Sequence, residues 1–166
     1  MEVNLREFVI SDLEELYSLF CDSIILKNLE IGKSKQEFTL EDEREWLRRT
    51  ISQYSAPKST EYHLAIELNK RLAGSIGAFN YDYENKTAEV GIWMGRVFWG
   101  SGAVPLIMEL FRDKVLQRYD LERAITNIDE NNRIAQKIAE SFGFRRIERR
   151  KAGEVSYEIF RQNGNR

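Results

Sequence analysis

Between residues 86 and 115 a strand pattern changes into a helix pattern across a loop, and few folds accommodate such a change. Residues 86–95 follow a strand pattern, and the loop after them contains Gly100 and Gly102. Beyond Gly102 the apolar residues recur at helical spacing and cover much of the helix circumference, which is typical of a buried helix. Together with the patterns elsewhere in the chain, this change of period predicts a mixed α/β fold.

Apolar periodicity predicts the other strands, because only Pro57 and Pro105 force breaks in the chain. The predicted strands are residues 3–9, 61–68, 71–80, 86–95, 121–128, 144–151 and 154–160. The second, third and fourth of them follow one another across short polar turns, which predicts an antiparallel meander.

Helices are predicted from caps and helical spacing. One begins at the N-cap Ser11, and a second begins at the capping box that Thr39 forms with Asp42. Between them, residues 22–39 show a poor pattern and are predicted to be a loop with at most one short turn. A last helix from Asn131 ends before Gly143. Its expected inward residues are Ile134, Ala135, Ile138 and Phe142.

Composition excludes several classes of protein. The 166 residues, 42% of them hydrophobic, suit one domain over residues 1–166. The 25 basic and 27 acidic side chains nearly cancel, which argues against general nucleic-acid binding. Cys21 and His63 are the only residues of their types, so an internal disulfide and a structural zinc site are excluded. Because neither a membrane-length apolar run nor a signal pattern is present, we expect a cytoplasmic protein with no membrane association.

The loop that contains Gly100 and Gly102 has the chemistry of an anion site. Glycines let the backbone turn and present successive N–H groups, and the following helix adds the positive end of its dipole. Pro105 fits the first turn of that helix, and no acidic residue occurs before Glu109. The loop therefore favours a phosphate or pyrophosphate ligand, although a purely structural turn explains the same glycines equally well.

The sequence around this loop resembles the GNAT superfamily of N-acetyltransferases. Trp99, Gly100, Ser101, Gly102, Ala103 and Val104 align with its coenzyme A loop, Q/R-x-x-G-x-G/A, although Val104 stands where the motif has Gly or Ala. The Trp-Gly-x-Gly form is similar to the branch of the ribosomal-protein N-terminal acetyltransferases. The strand over residues 86–93, the segment over residues 132–135 and the Phe142-Gly143-Phe144 triplet also resemble that branch. The predicted element order, β-α-α-β-β-β-α-β-α-β-β, is the order of the GNAT acyl-CoA N-acyltransferase fold.

The resemblance implies an acetyl-CoA site in a V-shaped opening between the fourth and fifth strands. The pantetheine arm would pair with the backbone of Ile92, Trp93 and Met94, and the pyrophosphate would lie on the amides of residues 100–104. Asn132 matches the motif asparagine that commonly contacts the pantetheine. A helix N-cap explains Asn132 about as well, and the two roles are compatible.

The resemblance also points to Glu89 as the catalytic residue. An alkyl amine is mostly protonated at neutral pH, so its attack on a thioester gains from a general base. In the family a Glu on this strand often has that role, while the alternative here is a cross-strand ion pair. A backbone N–H near Met94 would stabilise the oxyanion. Many relatives have a Tyr as general acid where this chain has Ala139, so another group protonates the thiolate or it leaves unaided.

Four other features carry alternatives. His63 is expected at the surface or satisfied in the core, with an acid/base role as the alternative, and Cys21 is expected in the core. Tyr81, Asp82 and Tyr83 are expected to pack at the sheet edge or to line an acceptor pocket. The basic run 145–151 is expected to be a solvated edge, or else to attract the 3′-phosphate of the cofactor or an acidic acceptor.

These observations predict an acetyl-CoA-dependent N-acetyltransferase that uses no metal. The acceptor would be a primary amine, either a protein N-terminus or a small amine, which attacks the thioester directly. The alternative is a non-catalytic acyl-CoA-binding or interaction domain that retains the fold. The sequence allows a homodimer.

Overall fold

The chain folds around one mixed β-sheet with helices on both faces. The computed structural model describes residues 1–116, 119–148 and 151–161. The strands in this part are β1 (Val3–Arg6), β2 (Tyr62–Leu68), β3 (Arg71–Asp82), β4 (Thr87–Met94), β5 (Arg123–Asp129), β6 (Arg145–Arg146) and β7 (Glu154–Phe160). The α-helices are α1 (Leu13–Phe20), α2 (Ser23–Asn28), α3 (Leu40–Gln53), α4 (Val104–Phe111) and α5 (Arg133–Ser141).

The strand order is β1-β2-β3-β4-β5-β7-β6, and every neighbouring pair is antiparallel except β4 and β5. These two run parallel because α4 connects them as a crossover. Their ladder has three pairs and ends where Glu89 faces Ile125. Beyond that pair β4 stays with β3 and β5 stays with β7, so the expected V-shaped opening is present.

The two faces of the sheet are covered by different helices. On one face α4 packs with Ile107 and Phe111 against the even-numbered positions of β2 and β4, such as Leu64 and Val90. On the other face α1 and α3 pack around Leu16, Leu47 and Ala65. The mixed α/β class is confirmed. The helix after Gly102 is buried on one side only, because Ile107 and Phe111 are buried whereas Leu106 is 43% exposed. No helix in the described residues has the length and apolar run that a membrane span needs.

The predicted element order lacked one helix. Residues 22–39 were expected to form a loop, yet α2 lies within them, so three α-helices separate β1 from β2. Asp22 caps α2, because its carboxylate accepts from the N–H groups of Ile24 and Ile25. A helix of six residues buries only Ile25 and Leu26, and this is too few to produce a recognisable period.

Two other predictions at helix starts and faces were wrong. Ser11 does not cap α1, because a 3₁₀ turn precedes the helix and the Asp12 carboxylate accepts from Val9 N–H at 2.9 Å instead. Ile134 is 74% exposed, because the inner face of α5 buries Gln136 and Ala139. The capping box of Thr39 with Asp42 and the left-handed Gly143 after α5 are confirmed.

Several strand ends also differ from the sequence pattern. The strand expected over residues 144–151 is reduced to Arg145–Arg146, whose side chains are exposed. Residues 149 and 150 of that prediction lie outside the described residues. β1 ends at Arg6 rather than at residue 9 because the 3₁₀ turn follows it. The strands of the meander and β7 lie close to their predicted positions.

Candidate active site

The separation of β4 from β5 opens a cleft of about 910 Å³. The cleft lies between the open edge of β4 and the second half of β5. The glycine loop and α4 border the cleft on one face of the sheet, and α2 borders it on the other. Sequence-predicted residues in its lining are Glu89, Ile92, Trp93, Met94, Trp99, Gly100, Ser101, Gly102, Val104, Asn132 and Ala139. Ala103 is fully buried behind the loop.

The open edge of β4 presents alternate backbone groups to the cleft. Backbone groups along a strand point alternately to its two sides. Gly95 N–H donates to Ala73 O of β3 at 2.9 Å, whereas Lys86 O accepts from Arg123 N–H of β5. By this alternation Ile92 and Met94 direct their amides and carbonyls toward the cleft. The backbone of Trp93 faces β3, so Trp93 reaches the cleft with its side chain, which packs on Phe20 with ring centroids 4.8 Å apart.

Trp99 links the end of β4 to the glycine loop. Its indole Nε1–H donates to Met94 O at 2.8 Å, although the side chain as a whole is 49% exposed. This bond occupies the carbonyl at the end of the open edge and leaves the Met94 amide facing the cleft. Trp99 therefore has a local structural role, because its indole can donate this hydrogen bond.

The glycine loop has the conformation that its sequence predicts. Gly100 and Gly102 have φ values of +72° and +75°, and a Cβ at either would meet open space. The glycines are therefore required by backbone conformation rather than by crowding. Ser101 N–H donates to Phe98 O at 3.3 Å. Within the described residues no hydrogen bond occupies the amides of Gly102 or Val104, which point out of the start of α4.

The start of α5 forms the far side of the cleft. Asn132 caps the helix, because its Oδ1 accepts from Ala135 N–H at 3.1 Å. The N-cap prediction is confirmed, and the Nδ2 group makes no hydrogen bond within the described part of the chain. Ala139 lies further along the same helix and is 7% exposed. Its methyl group cannot donate a proton.

Glu89 lies at the apex of the V, on the last pair of the β4–β5 ladder. Asn80 Nδ2 donates to its Oε1 at 3.2 Å, and Asn127 Nδ2 donates to its Oε2 at 3.0 Å. None of the ion pairs among the described residues includes Glu89, so the cross-strand ion-pair alternative finds no partner there. Neither asparagine belongs to a motif, and only the strand register brings them to Glu89.

The mouth of the cleft on the α2 side is acidic. Four carboxylates line it, those of Glu30, Glu89, Asp129 and Glu154. Among the described residues, Lys151 is the only Lys or Arg in the lining of the cleft. Burial raises the pKa of Glu154; Lys151 lowers it, and Glu30 and Glu89 raise it further. Lys151 forms ion pairs with Glu30 and Glu154. The remaining charge is negative and would attract a cationic group.

The short helix α2 supplies the apolar part of the same mouth. Ile24, Ile25 and Leu29 line the cleft beside Trp93. Asp22 at the start of α2 forms an ion pair of 3.3 Å with Arg96, which follows β4. The sequence pattern placed these residues in a loop and therefore did not single out Ile24, Ile25 or Leu29.

Several predicted alternatives lie away from the cleft. The His63 ring stacks on Phe79 at 5.8 Å and contacts Trp46, and its Nε2 lies 3.5 Å from Glu61. His63 is therefore satisfied in the core, as one of its two interpretations predicted. Cys21 is half-buried beside the apolar cluster around Phe38.

Tyr81 and Tyr83 line a separate cavity of about 440 Å³, and neither lines the cleft. The reason is that the β3–β4 turn lies at the opposite end of β4 from the glycine loop. Asp82 closes that turn, because its Oδ1 accepts from the N–H groups of Glu84 and Asn85. Of the basic run, Lys151 alone lines the cleft among the residues that the structure describes.

Comparison with known proteins identifies the class. Residues 2–145 match the acetyltransferase (GNAT) domain family, so the chain belongs to that family. Acetyl-CoA is the cosubstrate of the family. None of the curated proteins compared with the chain matches it in sequence. Among the described residues, no group of three or more His, Cys, Asp or Glu side chains could hold a metal ion.

Solved structures share the fold at low sequence identity. The microcin C7 self-immunity acetyltransferase MccE, in complex with acetyl-CoA and AMP, has 20% identity and a TM-score of 0.76, covering 96% of this chain and 92% of its own. Spermidine N-acetyltransferase from Vibrio cholerae, in complex with CoA and spermine, has 17% identity and a TM-score of 0.79, covering 95% of each chain. A Salmonella typhimurium acetyltransferase that modifies the N-terminal serine of ribosomal protein L7/L12 has 17% identity and a TM-score of 0.79, covering 96% of this chain and 95% of its own.

Proposed function

We propose that this protein transfers the acetyl group of acetyl-CoA to a primary amine by direct attack on the thioester. The observation that carries the proposal is the separation of β4 from β5 immediately after Glu89. That separation places a carboxylate, the open edge of β4 and the glycine loop around one cleft. A base, an oxyanion donor and a phosphate cradle are the three elements that the reaction requires.

The cofactor would lie along the open edge of β4. The pyrophosphate would accept hydrogen bonds from the amides of Gly102 and Val104, and the dipole of α4 would add to the attraction. The pantetheine amides would pair with Ile92, and the Nδ2 group of Asn132 would reach the same arm. The thioester carbonyl would then lie at the Met94 amide, which would stabilise the oxyanion as it forms.

The reaction would proceed from a neutral amine. Glu89 would accept a proton from the ammonium form of the acceptor, directly or through water, and the amine nitrogen would form a bond to the thioester carbon. Collapse of the tetrahedral intermediate would break the carbon–sulfur bond and release the thiolate of CoA, while the second proton of the amine nitrogen passes to solvent. Because Ala139 offers no donor, the thiolate would leave without a proton from α5, which a thiol pKa of about 8.5 permits.

The acceptor would enter from the α2 side. The carboxylates of Glu89, Asp129 and Glu154 would attract an ammonium group, and the wall of Ile24 and Leu29 would contact apolar parts of the acceptor. Solved relatives include enzymes whose acceptors are a polyamine and a protein N-terminus. Both are cationic amines, and both are compatible with an acidic mouth.

The proposal is tested by measuring thiol release from acetyl-CoA with a panel of amines. The panel contains spermine, small monoamines, and peptides with a free N-terminal serine or alanine. We expect amine-dependent thiol release with at least one cationic member and formation of its N-acetyl product by mass spectrometry. Tight acetyl-CoA binding without turnover of any amine would instead support an acyl-CoA-binding domain that has lost catalysis.

A further inference from the structure

We propose that Asn127 is the positioning residue of Glu89, and that Ser156 sets the orientation of the Asn127 amide. The inference rests on the proposed function, since it concerns the group to which that function assigns proton transfer. Three side chains from β4, β5 and β7 form the chain of hydrogen bonds Ser156–Asn127–Glu89. Asn80 of β3 completes it from the other side.

The bond between Asn127 and Glu89 crosses the point where the sheet divides. The β4–β5 ladder ends at Glu89 and Ile125, and Asn127 is two residues further along β5 on the same face. Because the backbone hydrogen bonds between β4 and β5 do not continue there, the 3.0 Å bond from Asn127 Nδ2 to Glu89 Oε2 links the two strands through side chains. It holds the carboxylate at the apex, facing the cleft.

The direction of this bond is determined by its neighbours. Ser156 faces Asn127 in the β5–β7 register, is 0% exposed, and donates from Oγ to Asn127 Oδ1 at 2.7 Å. With Oδ1 bound to the hydroxyl, Nδ2 is left to face the carboxylate. A flipped amide would place Oδ1 against the negative Glu89 oxygen, which is unfavourable.

Asn80 makes the weaker of the two contacts with Glu89. Its backbone is left-handed, with φ of +51°, at the irregularity where the β3–β4 register shifts. Its side chain is exposed and its bond to Glu89 Oε1 is 3.2 Å long. Water can replace an exposed donor of this kind, whereas Asn127 is half-buried inside the cleft. Asn127 therefore carries most of the positioning.

Two neutral donors suit a general base better than a cation would. An amide N–H fixes the position of a carboxylate without adding a positive charge. A Lys or Arg at position 127 would favour the ionised carboxylate so strongly that proton transfer to it would become less favourable. The arrangement thus holds Glu89 in place and leaves its charge available to the incoming ammonium group.

The activity test uses three substitutions and one matched control. Asn127→Leu has nearly the same size without a donor, and kcat should fall by roughly 10- to 100-fold, the range for one hydrogen bond to a charged group, with KM for acetyl-CoA unchanged. Asn127→Asp places a second carboxylate beside Glu89, and the acidic limb of the pH–rate profile should move upward by at least about one unit. Ser156→Ala should give a smaller loss of kcat, roughly 3- to 10-fold.

The control is Asn4→Ala. Asn4 Nδ2 donates to Glu67 Oε2 at 2.9 Å between β1 and β2, so it is the same type of cross-strand amide–carboxylate bond outside the cleft. Its removal should leave kcat and the pH–rate profile unchanged. Equal losses in Asn4→Ala and Asn127→Leu, or a wild-type pH–rate profile in Asn127→Asp, would overturn the proposal.

A second measurement needs no acceptor. In ¹³C NMR of the full chain labelled at glutamate carboxyl carbons, with Glu89 assigned by its absence from Glu89→Gln, the pH midpoint of the Glu89 signal should rise in Asn127→Asp and stay at the wild-type value in Asn4→Ala. An unmoved midpoint in Asn127→Asp refutes the positioning role. If the midpoint rises while the wild-type protein acetylates no amine, the positioning contact stands and the proposed catalytic function fails.

Discussion

The two sides of the cleft are built from different parts of the chain. The side that would hold the cofactor uses mainly backbone groups from a short stretch, the end of β4, the glycine loop and the start of α4, and adds the side chain of Asn132. The acceptor side uses side chains from elements far apart in sequence, including Ile24 of α2, Asn127 of β5 and Glu154 of β7. A site made of backbone amides depends on the positions of glycines, so it can be recognised as a sequence motif. A site made of converging side chains depends on the register of the sheet, which no local motif shows.

The difference has a functional counterpart. Enzymes that share one cosubstrate and differ in acceptor need one constant side and one variable side. The glycine loop would be the constant side, because its left-handed glycines leave backbone amides free to bind the phosphates of the cosubstrate. The acidic and apolar mouth under α2 would be the variable side. Glu89→Gln and Gly102→Asp test this division directly, and two substitutions of smaller expected effect follow them.

Glu89→Gln should damage catalysis most. Loss of a general base lowers kcat by roughly 10²–10⁴-fold at neutral pH, and the deficit should shrink at high pH, where the amine loses its proton unaided. Acetyl-CoA affinity, measured by calorimetry, should stay close to that of the wild type because the cofactor side is untouched. A mutant whose pH–rate profile matches that of the wild type would show that Glu89 has a structural role only.

Gly102→Asp should damage the cofactor side instead. The substitution forces a residue with a Cβ into φ of +75° and places a carboxylate where the pyrophosphate would bind. We expect acetyl-CoA affinity to fall by roughly 100-fold in calorimetry. Gly32→Asp is the matched control, since Gly32 also has φ of +75° and open surroundings but does not line the cleft. Unchanged affinity in folded Gly102→Asp would remove the loop from the site.

Glu43→Gln tests whether the face of the sheet that carries Glu89 also carries unfavourable buried charge. Glu43 of α3 is 3% exposed, and burial raises its pKa from 4.5 to about 7. Below pH 4.5 this carboxyl is protonated in both the folded and the unfolded chain, so it does not destabilise the fold. As the pH rises from 4.5 to about 7, the unfolded chain ionises first and the free energy of unfolding falls. Above about pH 7 the loss is complete. The substitution should therefore raise Tm by a few degrees at mildly alkaline pH and by much less in acid. A Tm gain that is the same at both pH values would contradict this assignment.

Ala139→Tyr should have the smallest effect. It adds a proton donor at the position where many relatives have one, so activity should be unchanged or slightly raised if the ring enters the cleft. The wild-type pH–rate profile should level off without a descending limb near the tyrosine pKa of about 10.

Two tyrosines that could act as the general acid, Tyr83 and Tyr157, do not line the cleft. The Tyr157 hydroxyl donates to Glu140 at 3.1 Å, and the Tyr83 hydroxyl donates to Ser59 O at 2.5 Å outside the cleft. A descending limb that shifts on mutation of either tyrosine would show that a general acid is present after all.

The mixed α/β class, most strand and helix positions, the glycine loop and the capping of α5 could be predicted from the amino-acid sequence. These are local properties, because a cap, a left-handed glycine or a period of apolar residues acts within a few positions of the chain. For the same reason Gly100, Gly102 and Asn132 could be picked out before their surroundings were known. The prediction for residues 22–39 failed on equally local grounds, since α2 is too short to show a period.

The surroundings of Glu89, in contrast, depend on how the strands are paired in the folded chain. Asn80, Asn127 and Ser156 are unremarkable in the sequence, and they meet because β4 leaves β5 after three ladder pairs while β5 stays in register with β7. Such contacts depend on register and on the opening of the sheet. A shift of one residue in the pairing would turn every one of these side chains to the other face.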